Sequence, residues 1–237
     1  MDNRRYDRVL LKISGEALAG KNRTGLDFAV TGGVCDAIGQ CVGRGVQVGV
    51  VIGGGNFWRG VKNGEGYIER TRADRMGMLA TVMNCLAVCD ALERKGIPAR
   101  VMTASEMPAF GELYTHERAM KHLTGGKVVL FAGGTGHPYF STDTGAVLRA
   151  AEIQADVILL AKNIDGVYSA DPAKDPSAVR YDEIGYDEVL ARRLGVMDLT
   201  ATSLAMDNRL PVYVFALRDP NNILRVLDGE NVGTLVR

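Results

Sequence analysis

Lys12 is the first residue whose position suggests chemistry. It interrupts the apolar run RVLLKIS near its carboxyl end, where a solvated lysine would be out of place, and Ser14 and Gly15 follow directly. A lysine at the edge of a strand could also reach solvent along its apolar stem. The adjoining serine and glycine favour a fixed cation beside backbone amides.

A second candidate is the stretch VVIGGGNFWRG, in which an apolar run ends in Gly53, Gly54 and Gly55. Consecutive glycines cost backbone entropy, so a folded chain keeps them where the backbone must approach something closely. We expect that partner to be a ligand. Arg59 comes six residues after Gly53 and can close over what the amides hold, although it could equally be a surface charge.

Two acids complete the set of candidates. Asp143 in STDTG and Asp198 in VMDLT each lie near the start of a predicted helix. Capping of the helix is the ordinary role for an acid at such a position, so neither residue alone indicates a site.

Composition restricts the ligand. The 237-residue chain has 28 lysines and arginines against 28 aspartates and glutamates, and 46% of its residues are hydrophobic. A chain without net charge has no overall field that would hold it on nucleic acid or an anionic membrane, so we expect neither partner. Any anion must be held by a local site.

Standard nucleotide motifs do not account for the glycines. GEALAGKN has the spacing of G-x-x-x-x-G-K-[ST], but Asn22 stands where a hydroxyl should reach Mg²⁺, and no G-x-G-x-x-G follows a predicted strand. His116, His122 and His137 are too far apart for a helical metal pair, and no G-x-S-x-G elbow accompanies them. A phosphate site made of glycine amides and fixed cations remains.

The first apolar stretch and the cysteines bear on the cellular compartment of the protein. The first apolar stretch is short and is broken by Lys12, too little for a signal peptide or a membrane span, so we expect a cytoplasmic protein. Its four cysteines have neither zinc nor disulfide spacing, and we interpret them as reduced, mostly packing thiols: Cys35, Cys41, Cys85 and Cys89.

These candidates must be positioned by alternating strands and helices. Short apolar runs rich in β-formers are predicted as strands at 8–13, 46–52, 99–104, 127–132, 156–161 and 211–216. The clearest helix is predicted from Ile68 to Lys95, with Gly96 as its stop and an apolar stripe of Met78, Val82, Leu86 and Cys89. This alternation predicts a three-layer α/β/α sandwich with a mostly parallel central sheet, as a single domain over residues 1–237.

In such a sheet, ligands bind outside the carboxyl ends of the strands. Four polar or glycine-rich segments follow predicted strands: SGEALAG, GGGNFWRG, GGTGHPYFSTD and KNIDGVYSADPAKDP. Each alone is a weak signal, because glycine loops also make plain turns. Together they predict one ligand site at one edge of the sheet.

The motifs also carry a resemblance. LLKISGEAL, VVIGGGNFWRG, RADRMGMLATVMN, GGTGHPYFSTDTGA, GVYSADPAKDP and VMDLTA resemble, in the same order, the motifs of the bacterial uridylate kinases (UMP kinases) of the amino acid kinase family. The match runs from about Arg8 to Leu235. It implies the family's three-layer fold and transfer of the ATP γ-phosphoryl group to UMP, giving UDP in pyrimidine nucleotide biosynthesis, with Mg²⁺.

The resemblance assigns roles to the candidates. Lys12 would lie between donor and acceptor phosphates, Asp198 would orient its ammonium, and Asp143 would organise the lysine or the metal. Mg²⁺ would be held mainly by ATP phosphates, with Asp143 as the candidate protein ligand. The amides of Ser14, Gly15, Gly54 and Gly55 would cradle phosphates, with Arg59 as a charged clamp.

The resemblance also implies two nucleotide sites. The ATP site would comprise Lys12, Ile13, Ser14, Gly15, Gly55, Arg59, Lys162, Asn163, Tyr168 and Asp171. The UMP site would comprise Gly54, Asp74, Thr135, Gly136, His137, Pro138, Tyr139, Phe140, Ser141 and Thr142. Asp74 would accept the ribose hydroxyls. The contact made by His137 is left open, as is the choice between a site wall and a subunit contact for Phe57 and Trp58.

Regulation and assembly are implied in the same way. The family suggests a homohexamer activated by GTP and inhibited by UTP. The activator segment would be Gly20, Lys21, Asn22, Arg23, Thr24 and Gly25.

Two other functions are compatible with the residues. The chain could be a small-molecule kinase of the same fold acting on a carboxylate or carbamate, which Asp74 and the segment TGHPYFSTD argue against. It could also be a non-catalytic nucleotide-binding or storage relative, which the presence of Lys12, Asp143 and Asp198 together argues against.

Overall fold

The computed structural model describes residues 5–59 and 66–237. Its strands are β1 (Arg8–Ile13), β2 (Gln47–Ile52), β3 (Ala99–Thr103), β4 (Glu112–Leu113), β5 (Val128–Ala132), β6 (Val157–Lys162), β7 (Glu183–Ile184), β8 (Val212–Ala216) and β9 (Gly233–Val236). Its helices are α1 (Gly15–Leu18), α2 (Phe28–Gly43), α3 (Arg70–Arg94), α4 (His116–Thr124), α5 (Thr142–Glu152), α6 (Tyr186–Ala191), α7 (Leu199–Asp207) and α8 (Asn222–Leu227).

The strands form a nine-stranded sheet in the order β4-β3-β5-β2-β1-β6-β8-β9-β7. The only antiparallel pairing among the described strands is that of β8 with β9. The predicted α/β class with a mostly parallel sheet is therefore confirmed. All six predicted strands are present, and the three that the sequence did not predict are β4, β7 and β9, two of which have only two residues.

Each face of the sheet is covered by its own hydrophobic cluster. Leu11 and Ile13 of β1 belong to one cluster with Phe215, whereas Leu10 belongs to the other with Val129 and Leu160. This division follows from the strand, in which successive side chains point to opposite faces. Lys12 has the same parity as Leu10, so it lies on the face where α5 packs against β1.

Helix α3 coincides with the predicted long helix. Glu69 caps it by accepting a hydrogen bond from the backbone N–H of Thr71 (3.1 Å), and Gly96 follows the last turn with a φ of +76°. The predicted stripe was partly wrong: Val82 is buried, but Leu86 is exposed. The buried face is instead formed by Ala73, Ala80, Thr81, Val82, Asn84, Cys85, Val88 and Leu92.

The stripe was misplaced because the buried face of this helix mixes small and polar residues with a few larger apolar ones, while other large apolar side chains face outward. Met76, Leu79 and Met83 are 39–51% exposed. By length and composition alone α3 could also cross a membrane, but a buried core helix passes the same test. Here α3 packs against α2, β2, β3 and β5.

The cysteines are packing residues, as predicted. All four are free thiols, and Cys35, Cys41 and Cys85 are buried. Burial raises the pKa of the Cys35 thiol to about 11 and that of Cys41 to about 12, so neither is a reactive thiolate at neutral pH.

Candidate active site

The four predicted loops leave adjacent strands. β5, β2, β1 and β6 are neighbours in the sheet and run parallel, so their carboxyl ends meet at one edge. The structure therefore brings together at this edge the candidates that lie far apart in sequence.

Lys12 forms an ion pair with Asp143 at this edge. Its Nζ lies 2.5 Å from Asp143 Oδ1, and the two side chains are only 9% and 17% exposed. Asp143 is in the first turn of α5, on the face towards which Lys12 points. Apart from this ion pair, Asp143 Oδ1 is buried without a well-directed hydrogen bond among the described residues. The lysine is thus held at this edge by a carboxylate in a largely buried ion pair.

Asp198 connects two helices. It caps α7 by accepting a hydrogen bond from Ala201 N (3.0 Å), and it accepts others from the hydroxyls of Thr144 (3.2 Å) and Ser141. Ser141 in turn caps α5 through Thr144 N (3.1 Å). The positive ends of α5 and α7 are thereby held side by side.

The contacts of Asp198 do not include the one expected of it, and its role in the reaction stays a prediction. The resemblance implied that Asp198 orients the Lys12 ammonium, but the carboxylate paired with Lys12 is that of Asp143. Asp198 is occupied by helix capping because it directly precedes α7, where an acid satisfies free backbone N–H groups.

Lys162 is a second, half-buried cation close to Lys12. It ends β6, the neighbour of β1, and its ammonium donates to the carbonyl oxygen of Val196. Burial, reinforced by the nearby Lys12 charge, lowers the pKa of Lys162, while Asp143 and Asp198 act in the opposite direction. Two lysines and two aspartates therefore share one electrostatic centre.

The glycines allow protein segments to approach one another. A Cβ on Gly15 would lie 2.3 Å from Asn56 Oδ1 and 2.4 Å from the Gly53 carbonyl oxygen. A Cβ on Gly54 would lie 2.7 Å from the carbonyl oxygen of Gly77 in α3. At Gly15 and Gly54 the protein's own neighbours therefore already exclude a side chain, whereas a Cβ on Gly53 or Gly55 would come no closer than 3.1 Å to any described atom outside the adjoining residues.

Two buried asparagines, which sequence reasoning missed, hold the glycine turn in place. Asn84 of α3 donates to the Gly53 carbonyl oxygen (2.7 Å), and Asn56 and Asn84 exchange amide hydrogen bonds of 2.9 and 2.8 Å. Gly53 N also donates to the Ile13 carbonyl oxygen (2.9 Å), so β1 and the turn are joined directly. The turn is fixed on both sides before any ligand binds.

The remaining phosphate-loop candidates surround this turn. Ser14 caps α1 by accepting from Ala17 N (3.2 Å). Arg59 forms an ion pair with Glu16 of α1, and its Nε would lie 3.7 Å from a Cβ on Gly55. Arg59 thus lies beside Gly55, where its guanidinium can cover the turn.

The predicted activator segment lies against the same turn. Gly20–Asn22 is a 3₁₀ turn, and Arg23 and Gly25 have left-handed backbones with φ of 62° and 70°. The backbone N–H of Gly25 donates to the Asn56 carbonyl oxygen (3.1 Å), and the Asn56 side chain donates back to the Gly25 carbonyl oxygen (2.7 Å).

One cavity of about 260 Å³ lies between α3 and the loops after β2 and β5. Seven of the residues predicted for the UMP site line it: Gly54, Asp74, Thr135, His137, Phe140, Ser141 and Thr142. Gly55, which was predicted for the ATP site, also lines this cavity and not the larger one described below. Trp58 also lines this cavity, and it donates its indole N–H to the Ala73 carbonyl oxygen (2.8 Å), which fixes the ring against α3.

Three of the acceptor-site candidates lie around this cavity without lining it. Gly136 borders a separate, mostly apolar cavity of about 430 Å³, which shares Met78 as a lining residue with the smaller one. Pro138 is half-buried, and Tyr139 is 67% exposed. Within the loop, Thr135 and His137 are linked by hydrogen bonds of 3.2 Å.

A larger cavity of about 470 Å³ lies on the β6 and β8 side. Lys162, Tyr168 and Asp171 line it as predicted, whereas Asn163 is exposed and does not. The far wall was not predicted and consists of Arg192, Arg193, Leu194, Gly195 and Val196. Nothing in their sequence distinguishes them from an ordinary charged surface loop.

The described residues contain no cluster of three or more histidine, cysteine or acidic side chains able to hold a metal ion. His122 pairs with Glu112 (2.9 Å) at the β4 edge of the sheet. His137 is exposed. The centre near Lys12 is therefore built from lysines, aspartates and backbone amides, which suits the binding of anions.

Comparison with known proteins gives consistent matches. A sequence model of the amino acid kinase family matches residues 7–216. The structure of UMP kinase from Bacillus anthracis is 39% identical to this chain, with a TM-score of 0.95, and the match covers 99% of this chain and 97% of that one.

Two further solved structures are similar. That of UMP kinase from Ureaplasma parvum is 36% identical, with a TM-score of 0.93 and coverage of 98% of this chain and 99% of that one. That of uridylate kinase from Archaeoglobus fulgidus is 30% identical, with a TM-score of 0.74 and coverage of 97% and 99%.

Proposed function

Because the chain belongs to the amino acid kinase family, we propose that it transfers the γ-phosphoryl group of MgATP to UMP, giving UDP. The observation that carries this proposal is the position of Lys12. Strand β1 lies between β2, whose loop borders the smaller cavity, and β6, whose end borders the larger one. Lys12 and its Asp143 partner therefore stand between two cavities, one for each nucleotide.

UMP is the acceptor suggested by the similar structures, two of which are those of UMP kinases. The smaller cavity supports this assignment, because Asp74 offers a carboxylate to ribose hydroxyls, and Gly54 and Gly55 offer backbone amides to a phosphate. ATP is assigned to the larger cavity, lined by apolar Ile164, Val167 and Val196 and by the Lys162 ammonium.

The transfer requires no general base. The attacking atom is a phosphate oxygen of UMP, which is already ionised at neutral pH. Positioning and charge neutralisation therefore carry the reaction. Lys12 and Lys162 supply fixed positive charges, Arg59 adds a third beside the glycine turn, and the N-termini of α5 and α7 add their dipoles.

The residues present fit Mg²⁺ held mainly by nucleotide phosphates. Mg²⁺ keeps few protein ligands in such sites, and Asp143 offers a carboxylate in the first turn of α5, at the edge where the phosphates would lie. Asp143 is therefore the candidate protein ligand. When bound, the ion would neutralise charge on the phosphates.

Assembly and regulation are proposed from the family. The outward apolar face of α3, defined by Met76, Leu79, Met83 and Leu86, would be covered by a second copy in a homohexamer. GTP would activate through Gly20–Gly25 and UTP would inhibit. We further propose a single cytoplasmic domain acting in pyrimidine nucleotide biosynthesis.

The test is an acceptor panel with MgATP, comprising UMP, CMP, dUMP, GMP and AMP together with carbamate and simple carboxylates. We expect UMP to be the preferred acceptor and UDP its product. Preference for a carboxylate or carbamate would replace the proposal with another kinase of this fold. Nucleotide binding without transfer to any acceptor would indicate a non-catalytic relative.

A further inference from the structure

Arg70, Asp74 and Tyr139 form a three-way contact at the rim of the smaller cavity. Arg70 Nε donates to Asp74 Oδ2 (2.8 Å), and the backbone N–H of Tyr139 donates to the same oxygen (2.8 Å). The Arg70 guanidinium also lies over the Tyr139 ring, 5.1 Å from its centroid. Arg70 thus contacts both Asp74, the acid of α3 that lines the cavity, and Tyr139 in the loop after β5.

The loop residue in this contact has an unfavourable backbone. Tyr139 has a φ of +70°, a region in which a bulky residue is rare, and its side chain is 67% exposed. Such a conformation persists only where surrounding contacts impose it. The charge-assisted bond to Asp74 and the stacking of Arg70 are contacts of that kind.

The contact also determines which oxygen of Asp74 is left for a ligand. Both hydrogen bonds fall on Oδ2, and the Asp74 side chain is only 15% exposed. Asp74 lines the cavity, so Oδ1 is the oxygen that remains for a ligand hydroxyl. Its direction is set by the two donors on Oδ2.

We propose that Arg70 is a positioning residue for the acceptor nucleotide. It holds Asp74 in the orientation that receives the ribose, and it holds Tyr139 so that the next residue, Phe140, stays in the cavity wall. This inference rests on the proposed function, since it concerns binding of UMP. Arg70 itself need not touch the nucleotide, and it takes no part in the transfer.

Helix α3 contains a matched control for this role. Arg94 and Asp90 have the same four-residue separation and a similar distance, 2.7 Å, but their side chains are 78% and 65% exposed. An exposed pair of this kind contributes little to stability or binding. The Arg70–Asp74 pair differs from this exposed pair in two ways. Its side chains are only 44% and 15% exposed, and Tyr139 takes part as a third member.

The experiment compares Arg70→Ala, Arg70→Lys and Arg94→Ala with the wild type. Steady-state kinetics with MgATP give kcat and the KM values for UMP and ATP. UMP binding is measured separately by the fluorescence of Trp58, the only tryptophan, which lines the acceptor cavity.

We expect Arg70→Ala to raise both the KM and the Kd for UMP about tenfold, as for loss of a hydrogen bond to a charged group. The KM for ATP and kcat should stay close to those of the wild type, because Lys12 and the larger cavity are untouched. Arg70→Lys should recover part of the loss, and Arg94→Ala should change nothing.

The controls separate this inference from the proposed function. If the wild type does not phosphorylate UMP, the proposed function fails. If the wild type is active but Arg70→Ala leaves the KM for UMP unchanged, or lowers kcat as much as it raises KM, the positioning role is overturned. Thermal unfolding checks the fold, and if Arg70→Ala melts early the same criteria apply to Arg70→Lys.

Discussion

The glycine turn Gly53–Gly55 and the acceptor loop Pro138–Phe140 border the same cavity but are held in opposite ways. The turn is fixed by a buried asparagine pair and by close packing that leaves no space for a Cβ at Gly54 or at the adjoining Gly15. The loop is exposed and contains a left-handed tyrosine, supported by Asp74 and Arg70.

This difference separates two tasks. Phosphoryl transfer needs donors already in position, because rearranging them during the reaction would raise the barrier. An acceptor loop must admit and release a nucleotide, and loops held by few exposed contacts open at low free-energy cost. Substitutions at the turn should therefore lower stability and kcat, whereas substitutions at the loop contacts should mainly raise the KM for UMP.

The largest effect should come from Gly15→Ala. The added Cβ would lie within 2.4 Å of both Asn56 Oδ1 and the Gly53 carbonyl oxygen, so the turn or β1 must move. We expect a loss of about 3 kcal/mol or more in the free energy of unfolding, measured by urea denaturation, and a large fall in kcat.

Gly32→Ala is the matched control for that substitution. Gly32 lies in α2, and a Cβ added there would come within 4 Å of no other described segment, so alanine should be neutral or favourable. Equal stability of Gly15→Ala and the wild type would mean that the turn is not tightly packed, and the contrast with the acceptor loop would disappear.

A smaller effect is expected for Asn84→Leu. Leucine removes the donor to the Gly53 carbonyl oxygen and leaves the buried Asn56 amide without its partner. Leaving such groups unpaired costs about 1–3 kcal/mol, which urea denaturation can measure. The exposed Asn208, which bonds the Leu204 carbonyl oxygen (2.8 Å), supplies Asn208→Ala as the control.

Kinetics of Asn84→Leu sharpen the comparison. If the asparagine pair serves the turn, kcat should fall more than the KM for UMP rises. A rise in that KM with unchanged kcat would place Asn84 with Arg70 and Asp74, and the two regions would no longer be distinct.

Much of this arrangement could be predicted from the sequence, because it follows from local patterns. Apolar runs mark the central strands, and parallel strands bring their following loops to one edge. Lys12 was identifiable since a lysine near the end of a buried strand is unusual. The family motifs extended this to Asp74, Tyr168 and Asp171, all of which line cavities.

What could not be predicted depends on contacts between distant segments. Asn84 lies in a helix and has no local feature that distinguishes it from a surface asparagine. The choice of Asp143 as the partner of Lys12 depends on how α5 packs on β1. The left-handed backbone of Tyr139 arises from contacts with α3, more than sixty residues earlier in the chain.

The central claim is that Lys12 stabilises the transferring phosphoryl group between two separately bound nucleotides. The most direct test is kcat of Lys12→Met at saturating UMP and MgATP, with folding checked by thermal unfolding and UMP binding by Trp58 fluorescence. We predict that kcat falls roughly 100- to 1,000-fold, as for loss of a charge-stabilising donor, while UMP still binds. A folded Lys12→Met protein that turns over near the wild-type rate would contradict the account.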